Sequence, residues 1–145
     1  MCYMIVLATD SIEDLSAKNS GNLKFSSELP GLSQERFLSF ERRWFLEGSE
    51  GCSCGFRHLS SGSISLGFGA PESWYPEAPE YLEATREFIG IVRSLLAGGS
   101  KVECIDIWCD QPASDGLDGA LNVNLTEMSD DAFRFFENHH FVFSA

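Results

Sequence analysis

The stretch Gly51-Cys52-Ser53-Cys54-Gly55-Phe56-Arg57-His58 sets two thiols, a hydroxyl, a guanidinium and an imidazole between conformationally permissive glycines. Thiolate sulfur and imidazole nitrogen are the ligand types of a tetrahedral zinc site. Cys52, Cys54 and His58 are therefore candidate ligands, with a fourth to come from Cys104, Cys109, His139 or His140. Two sulfurs and two imidazoles suit zinc, so His139 or His140 is the expected partner, carried to the octet by the element that precedes it. A single residue between the cysteines is tighter than the spacing of structural zinc sites and requires a sharp turn, which Gly51 and Gly55 permit.

The same residues admit other chemistry. A thiolate at Cys54 is favoured if Arg57 or His58 folds over it, and a Cys-x-Cys disulfide is strained and readily reduced. Gly51-Cys52-Ser53-Cys54-Gly55 also reads as G-x-S-x-G, with Asp106 or Asp110 and then His139 or His140 in hydrolase order. A nucleophile elbow needs a helix directly after its serine, whereas Phe56 to Ser63 has no helical period and ends in a Ser-Gly turn, so that reading fails. Asp106 stands between Ile105 and Ile107 in an apolar run and must be exposed on one face or paired, which makes it the carboxylate to suspect of a role. The acidic set Asp106, Asp110, Asp115 and Asp118 lacks the alternating spacing of a calcium loop and reads as a solvated turn. Trp74-Tyr75, among prolines, is either a recognition edge or a pin for a long loop.

Charge and composition bound the function. With a net charge of −12, nucleic acid and anionic lipid are approached against repulsion, and neither is an expected partner. The basic residues Arg36, Arg42, Arg43 and Arg57 are interleaved with Glu35, Glu41, Glu47 and Glu50. No segment reaches the roughly 18 apolar residues of a membrane span, and the start has no basic region ahead of its apolar run. Five cysteines without a disulfide-scaffold spacing read as reduced thiols, so the expected location is cytoplasmic. The expected role is that of a small soluble binding or interaction domain; the alternative is a thiol- or metal-dependent site built on the octet. Sequence assigns neither a substrate nor an oligomeric state.

The elements that must position these residues form an α+β pattern, expected to be one globular domain over 1–145 with a mixed sheet of four to six strands. Tyr3 to Thr9 is a short apolar run expected as a strand covered on both faces, and it or Val102 to Trp108 should be central. Asp10, with Glu13, is the expected cap of a short helix. Leu23 to Ser26 and Ile64 to Phe68 alternate like strands and Arg43 to Glu47 is expected as another, so that it and Ile64 to Phe68 frame the octet as a wide hairpin. Ser33 should cap a short helix with Phe37 and Leu38 facing inward. From Glu80 to Ala97, Tyr81, Leu82, Thr85, Phe88, Ile89, Val92, Leu95 and Leu96 fall on one face of a long helix that the sheet must follow. Lys101 to Cys109 and Leu121 to Leu125 read as strands. Ser129 is expected to cap a helix over Asp130 to Asn138 that ends at His139 and His140, with Phe141 to Phe143 returning as an edge strand.

Overall fold

The computed structural model describes residues 2–49, 51–112 and 116–145. Among the described residues there are eight strands: β1 (Tyr3–Thr9), β2 (Lys24–Ser26), β3 (Arg42–Glu47), β4 (His58–Leu59), β5 (Val102–Trp108), β6 (Gly119–Asn124), β7 (Phe135–Phe136) and β8 (His139–Ser144). Six of them form a mixed sheet in the order β2-β3-β1-β5-β8-β6, in which only the β6–β8 pair is parallel. β1 and β5 occupy its centre, as their uninterrupted apolar runs require, and are in register Ile5 to Asp106 and Leu7 to Cys104.

The side chains of β1 divide between two layers. Ile5 and Leu7 join the larger core, while Val6 and Ala8 join Leu38, Ile105 and Ile107 in a smaller cluster on the opposite face. The larger core lies under α1 (Pro79–Ala97), which buries Ala84, Thr85, Phe88, Ile89, Val92 and Leu95 at three- and four-residue spacing. Pro79 opens this helix, where its missing N–H costs nothing. At about 1.5 Å per residue α1 is roughly 28 Å long, enough to run the length of the central strands. Among the described residues no helix is long and apolar enough to cross a membrane.

α1 is the one α-helix among the described residues; the remaining helical segments are short 3-10 turns at Leu15–Lys18, Ser33–Phe37, Ser53–Gly55, Ser61–Leu66 and Leu125–Glu127. Asp14, rather than Asp10, caps the first of these, because the Asp10 carboxylate accepts from the Lys101 N–H across the sheet. In the second, Leu38 is buried but Phe37 lies outward at 39 % exposure.

Two expectations are corrected. Ile64 to Phe68 is not a strand: Ser61–Leu66 coils as a 3-10 turn and Gly67 follows at φ 65, which ends any extended run. Ile64, Leu66 and Phe68 still pack on the core, so their apolar character reports burial without pairing, and the wide hairpin does not form. Asp130 to Asn138 is not a helix either. Phe133, Phe135 and Phe136 are all buried, β7 pairs in parallel with β4, and Asn138 turns the chain at φ 57 into β8. Three large rings at these positions surround the chain with core on more than one side, which a one-faced helix cannot satisfy. His139 and His140 therefore begin a strand, and that strand is interior, between β5 and β6, rather than an edge.

Candidate metal centre

The octet leaves the end of β3 through a tight loop. Gly51 stands at φ 80, the Gly48 N–H donates to the Cys52 carbonyl at 2.7 Å, and a Cβ on Gly48 would lie 3.2 Å from the Gly55 Cα, so the two arms of the loop meet where side chains would separate them. Ser53–Gly55 then makes one 3-10 turn. The fully buried Ser53 hydroxyl donates to the Leu46 carbonyl and accepts from the Ile5 N–H at 2.8 Å. Ile5 and Leu46 are register partners, so this hydroxyl bridges β1 and β3 where their ladder ends and fixes the turn against both strands.

That anchor puts Cys52 and Cys54 beside the start of β1. The Cys54 sulfur accepts from the Tyr3 N–H at 3.3 Å. The sulfurs of Cys2, Cys52 and Cys54 all lie within 4.8 Å of one another, each half-buried. Cys2 was not among the residues singled out from sequence. Its signal lies in pairing: antiparallel β1 and β3 bring residue 2 alongside the segment that follows residue 47, but the pairing is a tertiary fact.

His58 takes a different position from the one its spacing suggests. Its Nδ1 meets the Asp106 carboxylate at 2.7 Å, its Nε2 meets the Ser53 carbonyl at 2.6 Å, and its ring stacks on Tyr3 with centroids 4.0 Å apart. A carbonyl only accepts, so Nε2 carries a proton, and one further proton lies between Nδ1 and Asp106. With both nitrogens engaged, His58 orients the Cys52-Ser53-Cys54 turn through the Ser53 carbonyl and is not a fourth ligand here. Asp106 is fully buried, and burial pushes its carboxyl above the ordinary range, with the charge and hydrogen bond of His58 opposing. Its Oδ1 has no hydrogen-bond partner among the described residues.

The other candidates are dispersed. Arg57 is buried and gives all its donors away: Nε and Nη2 to Glu77, Nη2 also to the Gly69 carbonyl, and Nη1 to the carbonyls of Asp131 and Phe133. It fastens the irregular 67–78 and 129–134 segments to the core, and it has no donor left for the thiols. Burial raises the Glu77 carboxyl, but Arg57 and Arg134 more than offset this and hold it below its usual value. His139 bonds the Glu137 carbonyl through Nδ1 at 2.8 Å, and His140 bonds Glu103 at 2.8 Å beneath Ser39 and Phe40, whose N–H groups share that carboxylate. Cys104 is fully buried, and Cys109 accepts from the Cys2 N–H without joining the cluster. Asp110 and Asp118 are exposed, and Asp115 lies outside the described residues. Trp74 is exposed, while Tyr75 packs on the core under Arg134.

No family model, curated protein or solved structure matches the chain. Function rests on the site's own chemistry.

Three neighbouring thiols cannot all ionise without mutual repulsion. Burial first, and then the hydrogen bond and charge of Cys52, push the Cys54 thiol up to about 12. It is thus protonated at neutral pH and a poor nucleophile, which argues against the activated-thiolate reading. A cation relieves the same crowding. At a zinc–sulfur distance of about 2.3 Å, tetrahedral ligands stand about 3.8 Å apart, so these sulfurs need to close by no more than about 1 Å. The cluster also adjoins a cavity of about 240 Å³ whose wall includes Cys54, Tyr3, Tyr75 and Tyr81. A larger depression, about 570 Å³, is a polar groove beside Phe25 and Trp44 with no thiol or imidazole among its described lining residues.

Proposed function

We propose that this chain is a binding protein for a thiophilic metal ion of the zinc type, held by Cys2, Cys52 and Cys54. The observation that carries the reading is the convergence of three sulfurs to within 4.8 Å from two segments fifty residues apart. Support also comes from the anchoring of the loop: Ser53 is locked to β1 and β3, and His58, backed by Asp106, holds the Ser53 carbonyl, an outer layer of contacts of the kind that orients metal ligands. Half-buried thiols that must stay reduced suit the cytoplasm. The net charge of −12 makes a metal cation a more favourable partner than a polyanion.

Cobalt(II) titration of the reduced, untagged protein tests this. A sulfur-to-cobalt charge-transfer band should saturate at one equivalent, be displaced by zinc, and be lost or weakened at least about ten-fold in Cys2→Ser, Cys52→Ser and Cys54→Ser, since each removes one of three ligands. His58→Gln should lower the affinity and keep the band, because its ring supports the turn without ligating. A Cys2→Ser variant that binds cobalt like the native chain removes the reading.

A further inference from the structure

A tetrahedral ion on three sulfurs keeps one position that the cluster does not fill. Among the described residues no fourth His, Cys, Asp or Glu lies within the cluster, and His58, which lines the same cavity as Cys54, has both nitrogens committed. Among the described residues Cys54 is the one cysteine that belongs to both the cluster and the adjoining cavity of about 240 Å³, so the cavity meets the cluster at this residue. That cavity holds all three tyrosines of the chain, Tyr3, Tyr75 and Tyr81, together with Phe56, and its polar side is the Arg57–Glu77 ion pair, whose charges are spent on each other. Its volume is below that of a drug-sized pocket, and its aromatic wall favours a flat apolar body.

We infer that this cavity is the binding site for a small aromatic or apolar thiol, whose sulfur takes the fourth position on the metal. The inference rests on the metal reading above and names the ligand that completes that site. A soft thiolate matches the preference of an ion already selected by sulfur. On coordination the S–H bond breaks, its proton passes to solvent, and a sulfur lone pair forms the bond to the metal in place of solvent; no electrons are transferred.

Benzyl mercaptan and 2-mercaptoethanol are the probes, added to cobalt-loaded native protein and followed by the charge-transfer and d–d bands. Benzyl mercaptan should change the spectrum to that of a four-sulfur site with a stoichiometry of one, and bind about ten-fold or more tighter than 2-mercaptoethanol, because only its ring uses the aromatic wall. Ala78→Phe, which adds a ring at the cavity lining without touching a cysteine, should keep the cobalt band and weaken benzyl mercaptan about ten-fold or more. If that variant fails to fold by circular dichroism, the contrast between the two thiols on the native chain decides alone. A loaded protein whose spectrum ignores both thiols, loses its cobalt to them, or binds both equally overturns the inference and leaves the metal reading standing. Failure of cobalt to bind the cysteines at all overturns both.

Discussion

Ser53 shows how much one hydroxyl can hold. It satisfies a donor on β1 and an acceptor on β3, and both are buried. Ser53→Ala leaves those two backbone groups unpaired, which should cost about 1–3 kcal/mol by urea denaturation and weaken cobalt binding, since Cys52 and Cys54 flank the anchor. Arg57 lies deeper still, with its ion pair to Glu77 withdrawn from water. Arg57→Met leaves that carboxylate short of a partner and three carbonyls without a donor, and should lose about 3–5 kcal/mol. For Asp106 the sign follows from burial. Its folded carboxyl holds a proton above the unfolded value of 3.8, so its contribution to stability is full below that pH and fades as pH rises through the folded value. Asp106→Asn has no such titration, and its denaturation midpoint should fall less than that of the native chain between pH 3.8 and neutrality. A steeper fall in the variant would show that pairing with His58 outweighs the burial of the carboxyl.

At the scale of elements, α1 supplies most of the helix-side wall of the larger core. Phe88 and Leu95 are at or below 1 % exposure, and Phe88→Ala or Leu95→Ala should cost about 2–5 kcal/mol, with near-native melting of both showing that the buried face is misassigned. On the outer face Gly90 has nothing within 4 Å of where a Cβ would stand. Gly90→Ala should therefore stabilise by about 0.5–1 kcal/mol, read as a higher melting temperature, because it removes backbone freedom from the unfolded chain without creating a clash. β4 and β7 make the opposite case. Each is two residues long, and they exist because Arg57 and the rings of Phe133, Phe135 and Phe136 fix the 57–59 and 133–137 backbones side by side. No local propensity specifies such a pair.

Across the whole molecule, the thiol cluster joins the beginning of the chain to the segment after β3, so metal binding and folding should be coupled. At a free zinc concentration one hundred times the dissociation constant, the native protein should gain about 2.7 kcal/mol, seen as a raised melting temperature reversed by a chelator, and Cys2→Ser should gain far less. The sequence by itself determined the α+β class, a central place for Tyr3–Thr9 or Val102–Trp108 and the course of α1, because apolar periodicity is a local property that burial enforces, and it offered the octet as a candidate for chemistry. It misread Ile64 to Phe68 and Asp130 to Asn138, where apolar residues pack into the core from irregular backbone and alternation no longer implies pairing. The tertiary structure alone decided which donors meet. The β1–β3 register delivered Cys2 to Cys52 and Cys54, while the β5 and β8 registers set Asp106 under His58 and sent His140 to the other face. Side-chain chemistry is written residue by residue, but proximity between distant segments is fixed only when strands choose partners, and that choice depends on the whole core.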